Sequence, residues 1–288
     1  MKLALGSVQF GLNYGLANTK SLMKLEDVKA ILDFALKSDI DTLDTAIAYG
    51  RSEYILGQIG VSSWKVVSKL PAIPDDCIDI QEWVLSQALN SIQKLGVTHL
   101  YGFLLHHPAQ LHEDRGIELY AALEFLKEAG LTEKIGISIY SPSELDLLFE
   151  RYSFDLVQAP VNILDRSLEE SGWAHKLKEV GVEIHTRSTF LQGLLLIPPE
   201  TRPFKFKRWI DIWNEWDQWL FSLSLTPLEA CLRYTNSLSF ADRVIIGVDS
   251  IDQLKAIILA SKDGLPSLPI FKPLMDERLI NPSSWNYL

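Results

Sequence analysis

The chain has 288 residues, 47% of them hydrophobic, and 27 Lys and Arg stand against 37 Asp and Glu for a formal charge of −10. A chain this long buries a large core without disulfide or metal staples, and its composition excludes a mainly disordered protein. The acidic balance argues against a broad grip on nucleic acid or an anionic membrane, no run approaches the roughly 18 apolar residues of a membrane span, and the apolar start MKLALGSVQFG is too short for a secretory leader.

Short apolar runs alternate with longer amphipathic ones. In chain order the pattern predicts strand Leu3–Leu5, helix Leu25–Lys37, strand Ile40–Thr45, helix Ser52–Ile59, strand Lys65–Leu70, helix Ile80–Leu95, strand Leu100–Leu105 and helix Gly116–Ala129. It continues with strand Lys134–Ile139, helix Ser143–Tyr152, strand Leu156–Val161, helix Glu169–Val180, strand Val182–Thr186, helix Pro227–Tyr234, strand Arg243–Val248 and helix Ile251–Ser261. Several strand runs, VVSKL, GFLLH and RVIIGV, are apolar on both faces, as a parallel sheet covered on both sides requires. Ser141-Pro142 with Glu144, and Thr226-Pro227 with Glu229, read as helix caps with a first-turn proline, and Gly96, Gly130 and Gly181 stand where left-handed helix ends belong.

Eight such units fit a single α/β domain over 1–288, a (β/α)₈ TIM barrel, whose usual size is about 250 residues. An open doubly wound sheet is the competitor, but neither GxGxxG nor GxxxxGK[ST] occurs. The connection Phe190–Leu225 after the seventh strand is extended. Trp209, Trp213, Trp216 and Leu220, spaced 4, 3 and 4 apart, predict one apolar face packing an extra helix against the barrel, with a substrate-covering or subunit-contact role as the alternative. Cys77 and Cys231, isolated and without CxxC, point to a reducing, cytoplasmic setting and to no cysteine-bound metal.

In a barrel the chemistry gathers at the carboxyl ends of the strands. There the sequence places Asp44 and Tyr49 after the second strand, Lys69 in the third and His106 after the fourth. This set suits proton donation to a carbonyl oxygen. A Lys cation favours the phenolate and so eases proton release from a tyrosine, a carboxylate holds that Lys, and a neutral imidazole orients the carbonyl. Each residue also has a plainer reading: a buried Lys69–Asp44 salt bridge, a turn aromatic at Tyr49, a core histidine at His106. The three His at 106, 107 and 112 match no metal-ligand spacing. An aldolase or isomerase using Lys69 as an amine needs that Lys free, whereas Asp44 and Tyr49 offer it partners.

The run Asp44-Thr45-Ala46-Ile47-Ala48-Tyr49-Gly50-Arg51-Ser52-Glu53 resembles the DTAxxYGxSE signature of the aldo-keto reductases. Lys69 in VVSKL, His106 in LLHHP, IGIS at 135–138 and Val157-Gln158 are similar to further stations of that family, and the likeness runs from LGSVQFG to Gly247. The resemblance implies a barrel that binds NAD(P)(H) without a Rossmann motif. It implies hydride exchange between an aldehyde or ketone and its alcohol, with Asp44, Tyr49, Lys69 and His106 as the catalytic set. It further implies Ser138 and Gln158 on the nicotinamide carboxamide, Arg187 in place of the usual stacking aromatic, and Ser188, Gln192 and Gly193 near the pyrophosphate. Gly247, Asp249, Ser250 and Gln253 fall at the adenosine end. Family habit slightly favours NADP(H), while Asp249 and the lack of a nearby Arg or Lys allow NAD(H). Ile139 stands where relatives carry an Asn that follows the Ser. Arg187, Asn13, Asn162 and Arg166 at the mouth suggest a polar carbonyl substrate such as a sugar derivative. The expected partners are therefore a small molecule and, at most, a second copy of the chain, as monomer or homodimer. A catalytically weak cofactor-binding barrel with a regulatory or interaction role is the alternative.

Overall fold

Strands apolar on both faces need cover on both, and the chain supplies it by closing its sheet on itself and ringing it with helices. The computed structural model describes residues 2–13, 15, 22–266 and 276–287. Its strands β1 (Leu3–Gly6), β2 (Thr42–Asp44), β3 (Lys65–Leu70), β4 (Leu100–Leu105), β5 (Thr132–Ser138), β6 (Leu156–Pro160), β7 (Glu183–Arg187) and β8 (Arg243–Gly247) pair in parallel in chain order, and β8 returns to β1 to close the barrel. The competing open sheet is thereby excluded.

Around it lie α1 (Leu25–Lys37), α2 (Ser52–Ile59), α3 (Ile80–Leu95), α4 (Gly116–Glu128), α5 (Ser143–Arg151), α6 (Trp173–Glu179), α7 (Ile210–Leu223), α8 (Pro227–Ser237) and α9 (Ile251–Ala260). The cap signals behave differently from one another. Thr226 and Glu229 form a complete reciprocal cap on α8. At α5 only the acidic half forms: Glu144 accepts from the backbone N–H groups of Tyr140 and Ser141, while the Ser141 hydroxyl turns to Ser143 and the helix starts after Pro142. The helix expected over 169–180 is broken at Gly172, whose φ of +80° ends a first turn, Ser167–Glu170, before α6 begins. A single turn at Val8–Gly11 was not foreseen.

Side chains alternate along each strand, so Val67 and Lys69, Leu104 and His106, Leu156 and Gln158, and Glu183, His185 and Arg187 share the barrel interior. Val67, Leu104 and Leu156 make a plug of their own, separate from the larger core between sheet and helices. Register then sets the polar level above the plug: Gly6 pairs with Asp44 and with Gly247, and Ser138 with Gln158. At the opposite end Glu183 accepts from Lys134, Tyr101 and the ring of His185, which neutralises a charge cluster at the floor. Among the described residues no helix is long and apolar enough to cross a membrane, and Cys77 and Cys231 are both free thiols.

The extended connection runs through turns at Leu191–Leu196, Pro199–Thr201 and Phe204–Trp209 into α7, and Trp209, Trp213, Trp216 and Leu220 are all buried as its packing face. This segment also anchors the chain's end. Trp209 donates to Asp276, Lys205 donates to the Trp285 carbonyl, and the Phe206 and Trp285 rings meet edge to face at 4.9 Å.

Candidate active site

Tyr49 lies on the loop from β2 to α2, and that loop is pinned from below. The Ser52 hydroxyl donates to the Ser7 carbonyl at 3.0 Å and lies 3.2 Å from the Thr45 hydroxyl. Gly11 packs so closely on the loop that a side chain there would overlap the Tyr49 carbonyl and the Ser52 amide. Glu53, buried at the start of α2, accepts from Ser68 on β3 at 2.7 Å and from Ser91 on α3, which fixes the helix that follows.

Inside the barrel a continuous hydrogen-bonded chain joins the expected residues. Ser138 donates to Gln158 Oε1 at 3.3 Å, Gln158 Nε2 donates to Asp44 Oδ1 at 2.7 Å, and Lys69 Nζ donates to both Asp44 oxygens at 2.7 and 2.8 Å. Lys69 also reaches the Thr45 carbonyl at 2.9 Å and the Tyr49 hydroxyl at 3.5 Å. Its three N–H donors are thus all assigned, which removes the free amine that Schiff-base chemistry needs. Burial penalises the Lys69 ammonium, but the Asp44 carboxylate and Tyr49 outweigh it and hold the amine above its ordinary value. A fixed cation therefore sits beside the tyrosine oxygen.

His106 stands edge-on to Tyr49, ring centroids 5.9 Å apart, and its Nδ1 has no partner among the described residues. Burial, then the Lys69 and His107 charges, press its value down from 6.5 to about 4 against the opposing pull of Asp44. The imidazole is accordingly neutral across the ordinary pH range. The sign of its stability effect follows: between pH 6.5 and 4 the unfolded chain binds a proton that folded His106 refuses, so stability falls as pH falls through that window. Thermal midpoints at pH 7 and pH 5 should drop less in His106→Gln than in the wild type; equal drops would contradict the neutral assignment.

A cleft of about 430 Å³ opens above this chain. Asp44, Tyr49, Arg187, Ser188, Gln192, Gly193, Gly247, Asp249 and Gln253 line it, whereas Lys69, Ser138 and Gln158 are buried beneath and Ser250 is turned to cap α9 by accepting from the Gln253 amide. Asn13, Asn162 and Arg166 do not line the cleft. Asn162 is wholly buried, accepting from the Leu164 and Asp165 amides and donating to the Ser188 carbonyl. Arg187 donates to the Ile139 carbonyl at 2.9 Å and to the Ser188 hydroxyl at 3.2 Å, and lies 4.8 Å over the Tyr140 ring.

The structure adds residues that motif reading missed. Ser7, Val8 and Gln9 after β1, together with Thr189 and Phe190 after β7, line the same cleft. Gln9 Oε1 and Thr189 Oγ1 are buried without partners among the described residues. A side chain at Gly247 would press on the Gln9 amide and displace it from its place in the cleft wall. Ser188, Leu191, Gln192 and Gly193 all have positive φ, a backbone form that turns N–H groups toward one side and suits an anion. Orphaned polar atoms, a glycine-cleared wall and a loop of this form fit a dinucleotide with its pyrophosphate. The only sequence hint for Gln9 was a small polar run directly after a buried strand.

The pattern of the Aldo/keto reductase family matches residues 2–267. No curated protein matches the chain in sequence. Among solved structures it is similar to aldo-keto reductase AKR11C1 from Bacillus halodurans in the holo form, at 21% identity over 92% of this chain and 88% of that one with a TM-score of 0.71. The apo form of that protein gives 22% identity over 96% and 88% with a TM-score of 0.69. PA4992 from Pseudomonas aeruginosa gives 19% over 90% and 89% with a TM-score of 0.67. At such identities these likenesses speak for the barrel alone.

Proposed function

Because the chain belongs to the aldo/keto reductase family, a family of oxidoreductases that interconvert carbonyls and alcohols, we propose that it reduces a small aldehyde or ketone with a nicotinamide cofactor, Tyr49 acting as the acid. The observation that carries this reading is Lys69 Nζ, held by both oxygens of Asp44 and placed at the Tyr49 hydroxyl. When bound, the reduced cofactor supplies a hydride to the carbonyl carbon.

Everything else is work for the protein's own groups. Tyr49 gives its hydroxyl proton to the carbonyl oxygen, and the adjacent ammonium of Lys69 stabilises the negative charge left on the phenol oxygen. Asp44 keeps Lys69 charged and aimed. Neutral His106, edge-on to Tyr49, orients the carbonyl without adding a second positive charge. Ser138 and Gln158 would hold the nicotinamide end, the Ser188–Gly193 loop the pyrophosphate, and Gly247, Asp249, Ser250 and Gln253 the adenosine end. In the oxidation direction Tyr49 serves as the base.

Family habit favours NADP(H), but the charges at the adenosine end support NAD(H). Arg187 is the one Lys or Arg among the described residues lining the cleft, and it lies at the β7 end. At the start of α9 the Asp249 N–H donates to Gln253 Oε1 and the Gln253 N–H to Ser250 Oγ, while Lys255 pairs with Asp252. Among the described residues lining this end of the cleft, a 2′-phosphate would find the Asp249 carboxylate and no Lys or Arg. Fluorescence titration should therefore give a dissociation constant for NADH at least about tenfold below that for NADPH, one tenfold step being about 1.4 kcal/mol. Tighter NADPH binding would overturn this preference. Of the residues that suggested a sugar derivative, Arg187 alone lines the cleft, so the reading is a small carbonyl compound.

A further inference from the structure

Arg187 is the last residue of β7, half-buried, and no Asp or Glu among the described residues lies in ion-pair range of it; the remaining residues of the chain carry no acidic side chain. Two of its five N–H donors are spent, one on the Ile139 carbonyl and one on the Ser188 hydroxyl at 3.2 Å. A partly buried guanidinium with no carboxylate among the described residues in ion-pair range is costly unless a ligand pairs with it.

Two cavities share this one side chain. On one side it faces the cleft that Tyr49 and Asp44 line. On the other it faces a small pocket of about 60 Å³ between the ends of β5 and β6 and the turn Glu277–Ile280, with Tyr140, Ser141, Ser167 and Asn281 in its wall. That space admits a small polar group. Two carboxyl groups are near without cancelling the charge. Glu277 is exposed to solvent, and Asp165 is buried, pushed upward by that burial and tied to the Ser167 hydroxyl at 2.6 Å. The cation also reaches the catalytic groups, since it helps to keep His106 neutral.

We propose that Arg187 seats a carboxylate on the substrate itself, so that the preferred substrates are small aldehydes or ketones bearing a carboxylate a few bonds from the carbonyl. This rests on the carbonyl-reductase reading above and narrows it. Charge-assisted hydrogen bonds from a planar guanidinium match a carboxylate in two-point geometry, and the side pocket beside it admits such a group.

The test compares 4-oxobutanoate with its methyl ester, and glyceraldehyde 3-phosphate with glyceraldehyde, in wild type and Arg187→Met, alongside cofactor titrations of both proteins. The wild type should prefer the acid over the ester by about 10- to 100-fold in kcat/KM, the range expected of a hydrogen-bonded charge pair. In Arg187→Met that preference should collapse, through a rise in KM for the acid that the ester does not share, both measured at saturating cofactor. Equal use of acid and ester by the wild type, a preference for the phosphate pair only, or an acid preference that persists in the variant would each overturn the proposal. A protein that reduces none of the four compounds removes the reductase reading instead. The carboxylate site is then decided by calorimetry with succinate on the cofactor complex: binding lost in Arg187→Met upholds it, and no binding to the wild type overturns it.

Discussion

Replacing Tyr49 with Phe is expected to lower kcat for carbonyl reduction by about 10²–10⁴-fold, the range that general acid catalysis supplies. The change removes one oxygen and leaves the ring that stands edge-on to His106 and lies 5.0 Å from Lys69 Nζ. Cofactor affinity should hardly move, because the lost hydroxyl contacts only the Lys69 ammonium among the described residues. KM should change far less than kcat, since proton donation is needed in the transition state and not in the ground state. A variant with near wild-type kcat would assign the proton to another group.

Lys69→Met is expected to cost both activity and stability. Lys69 and Asp44 have side chains 1% and 6% exposed, so the substitution leaves a carboxylate buried with Gln158 as its remaining side-chain donor. Breaking such a pair from one side typically costs about 3–5 kcal/mol, whereas replacing both charges is often close to neutral. The double variant Asp44→Asn/Lys69→Met should therefore recover most of the lost stability in urea denaturation, with Asn keeping an oxygen for Gln158, and recover none of the activity. That separation matters. A double variant as unstable as the single would mean that Lys69 stabilises through packing of its stem and not through Asp44.

The barrel was legible in the sequence because its signals are local. Strand runs apolar on both faces, left-handed glycines at 96, 130 and 181 with φ of +65°, +70° and +77°, and the Thr226–Glu229 cap each act over a few residues. Where a boundary failed, a local competitor won: Glu144 reached back to backbone amides without help from the Ser141 hydroxyl, and Gly172 split the 169–180 helix. The residues Asp44, Tyr49, Lys69 and His106 were legible because strand ends in a closed parallel sheet must face one mouth. The far half of the cleft was not. Gln9 matters only because Gly247 clears space beside it, and Thr189 only because the loop after β7 turns through positive φ, both consequences of tertiary packing. Asn162 looked like a mouth residue by position, yet its side chain is consumed by its own turn. Arg187 was placed correctly at the end of β7, but the direction of its guanidinium, over Tyr140 and onto the Ile139 carbonyl, depends on β5.

The central claim is that Lys69 and Asp44 ready Tyr49 to protonate a carbonyl oxygen as hydride arrives from a nicotinamide cofactor. It is tested most directly by incubating the wild-type protein with NADH and NADPH and a panel of small aldehydes and ketones, carboxylated ones included, while measuring cofactor oxidised and alcohol formed. The expected result is equal amounts of the two in the wild type, with the reaction lost in Tyr49→Phe although the cofactor still binds. Tight cofactor binding by both proteins with no carbonyl reduced by either would contradict it, and would leave a cofactor-binding barrel that performs no reduction.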